Sequence, residues 1–192
     1  MGIIPRSTNS QTVLTELRRG YRTIENGIIK ILQFAGEEFV RDAREALKIS
    51  GDWKQRILTK EELLKKKTQP KRGDYLDDSG NLRSSIGYFV LNDGKIVMDE
   101  FSGTAEGIAA GRQALELVKV KHGYQLIGVA GMDYASYVES MGYNVISAQS
   151  VVAIEGLEKS LLKFKDRLNK KGVDAGFDIG DIGYEFISSK LK

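Results

Sequence analysis

The chain contains no cysteine and a single histidine, His122. Zero cysteines exclude disulfides, thiol nucleophiles and thiolate metal sites together. One histidine argues against a zinc enzyme, whose catalytic metal usually takes three protein ligands rich in His. It also leaves any Ser-His-Asp arrangement hanging on one residue, with no nucleophile-elbow sequence to serve it. His122 therefore reads as a surface or strand-edge residue. No apolar run approaches the roughly 20 residues needed to cross a bilayer, so neither a transmembrane helix nor a membrane partner is expected. The opening MGIIPRSTNS lacks the apolar core of a signal peptide, and Arg6 stands where a myristoylation signal needs Ser or Thr.

What remains is an ordinary globular composition, 41% hydrophobic and 29% charged over 192 residues. That suits one domain, or one domain with an arm, able to bury a real core. The net charge of +3 is unevenly placed. Residues 52–73, DWKQRILTKEELLKKKTQPKRG, hold eight Lys or Arg against three acids, which leaves the rest of the chain slightly acidic. Lys54, Arg56, Lys65, Lys66, Lys67, Lys71 and Arg72 are the candidate contacts for DNA or an acidic partner surface. A solvated polar loop explains the same residues at less cost. Only Trp53 could stack on a base, so single-stranded nucleic acid is not favoured.

From Thr12 to about Leu47 the apolar residues Leu14, Leu17, Tyr21, Ile24, Ile28, Ile31 and Ala35 recur at helical spacing. The stripe then shifts through Phe39, Ala43 and Leu47. Gly20, Gly27 and Gly36 are costly inside a helix, and mark a break near Gly20, close packing, or both. A helix this long is expected to lie partly on another subunit. Residues 50–82 read as a long basic loop carrying a short helix at 59–66, with Thr59 and Glu62 at capping-box spacing. The clearest local signal follows. Ile86 to Leu91 and Lys95 to Met98 are strand-like and joined by Asn92-Asp93-Gly94, a hairpin turn. A helix is expected at about 104–119, a strand within 124–132, a strand-like YNVIS at 143–147 and an amphipathic helix at about 152–169. The organisation is thus a helical segment 1–49, the basic loop 50–82, an α+β core 83–171 and a C-terminal arm 172–192. The fold class is α+β, a small mostly antiparallel sheet with a long N-terminal and a C-terminal helix packed against it.

IVMDEFSGTAEGIAAG (96–111) looks like the cofactor loop of a nucleotide- or S-adenosylmethionine-binding enzyme, since glycines admit a nucleotide to a helix N-terminus. Ala105-Glu106 interrupt the glycines, however, and the strand before them is tied in a hairpin rather than a parallel crossover. A capped helix fits better, with Ser102 or Thr104 as N-cap and Gly103, Gly107 and Gly111 lining a close-packed face. The acids Asp74, Asp77 and Asp78, and Asp174, Asp178, Asp181 and Glu185, lack the spacing of a calcium loop and read as turn formers. Neither cofactor nor metal is expected. In GMDYASYVESMG (131–142) Asp133 reads as the N-cap of a short helix and Gly142 as its left-handed stop. Tyr134, Val138 and Met141 share the face expected to lie on the sheet, with Tyr137 at its border. Glu139 points elsewhere and has no partner that would make it a base.

Two segments together carry a resemblance. SGNLRSSIGYFV (79–90), with Gly80, Leu82, Arg83, Ser85 and Ile86, followed by GVAGMDYASYVESMG (128–142), with Tyr134, Ala135, Tyr137, Val138, Glu139 and Gly142, resembles the tail-completion or head-tail joining (neck) proteins of long-tailed bacteriophages. The match spans roughly residues 79–170. The resemblance implies a non-enzymatic virion component, made in the bacterial host cytoplasm. Such a protein is monomeric when free and becomes a ring once docked between adjacent head-connector and tail proteins, with double-stranded DNA passing through. A prophage interaction module unrelated to virions is the other non-enzymatic reading.

Overall fold

The computed structural model describes residues 10–47, 49–50, 55–56, 58–59, 76–77, 79–118, 122–143 and 145–170. Helix α1 (Ser10–Ala46) runs unbroken for 37 residues, about 55 Å at the standard rise. Gly20 does not interrupt it. Gly27 and Gly36 instead create close approaches, where an added Cβ would meet the rings of Phe164 and Tyr88. Four two-residue strands follow. β1 (Ile49–Ser50) pairs antiparallel with β2 (Gln55–Arg56), and β3 (Leu58–Thr59) pairs parallel with β4 (Leu76–Asp77). Thr59 thus sits in a strand where the capping-box spacing marks a helix start, and the rest of that helix lies outside the described residues.

The core begins with a short helix, α2 (Asn81–Ser85), that feeds directly into β5 (Ile86–Asn92). The Asn92-Asp93-Gly94 turn carries Asp93 and Gly94 at positive φ, 47° and 79°, as a two-residue hairpin loop matching strand twist requires. β6 (Lys95–Glu100) returns antiparallel, with a register shift between Val90 and Leu91. After α3 (Ala105–Gln113) and a 3₁₀ turn (Ala114–Leu117), β7 (Tyr124–Ala130) pairs antiparallel with the other side of β5. The sheet order is β6-β5-β7. The helix expected over 104–119 is therefore shorter. Its last turn tightens to 3₁₀, and Ala114 and Leu115 pack on Phe89, Leu91 and Val129.

α4 (Ala135–Ser140) and α5 (Ser147–Lys170) complete the described chain. α5 begins about five residues before the start read from the sequence and absorbs the end of YNVIS, whose described residues form no strand. One face of the sheet is covered by α1 and α5 through Leu32, Ala35, Phe39, Tyr88, Val90 and Leu157. On the other, the Phe101 ring lies 5.1 Å from Phe89 between centroids, tilted 58°, beside the 3₁₀ turn. β5 is buried along almost its whole length, as a central strand covered on both faces must be. The fold is α+β: a three-stranded antiparallel sheet with a long N-terminal helix and a C-terminal helix packed on it.

Candidate interaction surface

The two segments of the bacteriophage resemblance lie about 50 positions apart in sequence and meet at one end of the sheet. β5 starts where β7 finishes, with Ile86 opposite Ala130, so α2 and the turn into α4 become neighbours. Ser85 joins them. Its backbone carbonyl accepts from Gly131 N (3.2 Å), and its hydroxyl receives Met132 N (3.3 Å) while donating to Leu82 O (2.8 Å). Gly80 enters α2 at φ 71°, a backbone that favours glycine. Leu82, Ser85 and Ile86 are fully buried. These motif residues hold the sheet end together.

α2 also fills the space above the glycine-rich stretch. Thr104 caps α3, its hydroxyl accepting from Gly107 N (3.2 Å) and donating to Asn81 Oδ1 (2.6 Å). Asn81 Nδ2 donates to Glu106 Oε2 (2.7 Å), and Thr104 N donates to Ser84 Oγ (2.9 Å). A Cβ on Gly103 or Gly107 would meet Ser84, and one on Gly111 would meet Phe101 and Ser85 O. The glycines thus admit the chain's own helix against α3. Arg44 ties α1 to the same region, donating from Nη1 to Ser102 Oγ (2.5 Å) and from Nη2 to Ile86 O (2.8 Å). Burial lowers the Arg44 pKa, opposed by the nearby negative charge of Glu100 and reinforced by Arg83.

The second motif segment behaves differently from the expectation. Asp133 does not cap α4: Tyr134 occupies the N-cap position, with no side-chain bond. Gly142 does stop the helix in the left-handed region, φ 90°, its N–H on Glu139 O (3.0 Å). The buried face is Ala135 and Val138, while Tyr134, Tyr137 and Met141 are exposed. The helix is only two turns long, and its buried stripe is set by the i, i+3 pair pointing at the sheet end. Glu139, expected to stand alone, has three partners. Its Oε2 accepts from Val145 N and Ile146 N and its Oε1 from Ser147 N, each at 3.1 Å. Those amides open α5, where a carboxylate satisfies orphan donors and complements the helix dipole. This explains the lost strand. Tyr143 and Val145 are both buried in the core, as in a strand, but the Val145 and Ile146 amides bond to a side chain rather than to a sheet. The three-amide bridge escapes sequence reading because nothing in the spacing from 139 to 145–147 is a standard capping pattern.

Other exposed apolar positions lie at the opposite end. Arg44 reaches the start of β5, whereas Glu25 accepts from Asn92 at its finish (3.3 Å). Residues 10–23 of α1 therefore run past the hairpin end, for roughly 20 Å. Leu14, Leu17 and Tyr21 on this overhang are exposed, Leu17 at 64%. The burial expected of the helical stripe begins only at Ile24. Edge strand β6 adds exposed Ile96 and Val97. Tyr124, against the overhang's root, has its pKa raised to about 12, by burial first and then by Glu25, Tyr21 and Asp93. His122 is fully exposed at the turn before β7, with Nδ1 3.9 Å from Asp93 Oδ1.

Of the basic candidates, Arg56 belongs to β2, while Lys54, Lys65, Lys66, Lys67, Lys71 and Arg72 lie outside the described residues. Among the described residues no helix is long and apolar enough to cross a membrane. Compared with known proteins, the chain matches no family model, no curated protein and no solved structure.

Proposed function

We propose that the protein is a structural component of a bacteriophage neck, assembling head-to-tail into a ring that joins head and tail. The observation that carries this reading is the placement of two apolar surfaces at opposite ends of one sheet. The motif helix α4 offers Tyr134, Tyr137 and Met141 at one end, and the α1 overhang offers Leu14, Leu17 and Tyr21 at the other. Unlike patches at opposite ends make a heterologous contact, and such contacts close into rings when the rotation permits. Large aromatic side chains are the usual anchors of interfaces. The basic segment 52–73 serves as the contact to DNA in the lumen or to an acidic neighbouring ring.

Electron microscopy of particles from the host carrying the gene tests this. Deleting the gene is expected to leave separate full heads and tails, and charge reversal of Lys65, Lys66 and Lys67 to impair joining or DNA retention. Normal joined particles from the deletion, or absence of the protein from purified particles, would sink the proposal. The enzyme alternative is met with the purified protein: nucleotides and S-adenosylmethionine are expected to leave the thermal unfolding midpoint unchanged.

A further inference from the structure

An open groove of about 580 Å³ runs between α1 and α5, lined by Lys30, Ile31, Phe34, Ser160, Lys163, Asp166, Arg167 and Lys170. Its chemistry is lopsided. Lys30, Lys163, Arg167 and Lys170 face a single acid, Asp166, and Phe34 stands 59% exposed among them. Lys30, Lys163 and Lys170 form no salt bridge among the described residues. A basic groove with an apolar floor fits a segment that alternates acids with large apolar side chains.

The chain carries such a segment at the groove's own edge. α5 ends at Lys170, itself a lining residue. Residues 172–187 that follow, GVDAGFDIGDIGYEFI, hold four acids, no bases, and Val, Phe, Ile and Tyr between them. Gly172 stands where a helix commonly stops and the chain reverses. From Lys170 back to Ser160 is roughly 15 Å along the helix, which about five extended residues cover. That brings Phe177 to the level of Phe34 while Asp174 and Asp178 pass the basic side chains. We propose that residues 172–187 fold back along this groove of their own subunit as an acidic strap, Phe177 covering Phe34. The inference is independent of the neck assignment.

The absence of cysteine makes the test clean. A full-length Ser160→Cys/Gly176→Cys variant is oxidised mildly in dilute solution and compared with Ser140→Cys/Gly176→Cys, whose first site is on α4. The groove pair is expected to close as an intramolecular disulfide about tenfold faster, because docking raises the local thiol concentration. Adding Lys163→Glu and Arg167→Glu is expected to remove most of that advantage, as is high salt. Equal rates for the two pairs would overturn the strap. So would a crosslink appearing as a dimer, which would assign the groove to a second copy's tail. Far-UV circular dichroism of each variant confirms that rates are compared on folded protein.

Discussion

Glu139 is the residue on which local structure turns. One carboxylate receives three amides at the start of α5, so it fixes the angle at which the C-terminal helix leaves α4. Hydrogen bonds to a charged acceptor contribute more than neutral ones, although exposure and compensation by water reduce the net. Glu139→Ala is expected to cost about 2 kcal/mol in urea unfolding, and Glu139→Gln about half of that, since one amide oxygen remains as acceptor. An unchanged midpoint for Glu139→Ala would show that water replaces the bridge. Asp133, two residues before the helix and exposed, is the contrast: Asp133→Ala should leave stability within about 0.5 kcal/mol. Sequence alone ranks the two acids the other way round, because capping rules see neighbours in the chain and Glu139 caps a different helix.

Among elements, α1 does two jobs along one length. Past Ile24 it is packed on the sheet, and there Gly36 lets the buried Tyr88 ring approach the helix backbone. Before that it is held only by its own hydrogen bonds, and a Cβ added at Gly20 would meet nothing within 4 Å. The same substitution therefore has opposite signs at the two sites. Gly36→Ala is expected to destabilise by about 1–2 kcal/mol, as overpacking outweighs the gain in helix propensity. Gly20→Ala should raise helicity at 222 nm and slow amide exchange in residues 17–24, with a local gain of up to about 1 kcal/mol. The periodic stripe in the sequence identifies the helix and its apolar side correctly. It does not reveal where the partner surface ends. Leu14 and Ile28 hold equivalent places in the stripe and read alike until the sheet is folded beneath one of them. Ile28 is buried and Leu14 is not.

Across the whole protein, the overhang and the α4 face lie at opposite ends, so a head-to-tail interface predicts a specific genetic pattern. Leu14→Asp/Leu17→Asp should leave the monomer folded by circular dichroism and lower the yield of joined particles about tenfold or more, the effect of losing an interface anchor. Tyr137→Asp should do the same. When the two mutant proteins are mixed, an intact α4 face can meet an intact overhang only once in each pair of unlike subunits. That supports dimers but not a closed ring. Recovery of full rings from the mixture would contradict a heterologous interface.

Read without coordinates, the chain already yields the α+β class, the Asn92-Asp93-Gly94 hairpin, the Thr104 cap and the glycine face of α3. Each depends on periodicity or on the backbone preferences of a few adjacent residues. What those features meet became visible only in the folded molecule. Folding sets α2 against the glycines, and it exposes Tyr134 and Tyr137 where a buried stripe was expected. It also turns YNVIS from a strand into the entry of α5. One cause underlies all three. Burial and hydrogen-bond partnership are properties of pairs of segments, and Ser85 with Met132, or Glu139 with Ser147, become pairs only when β5 and β7 come side by side.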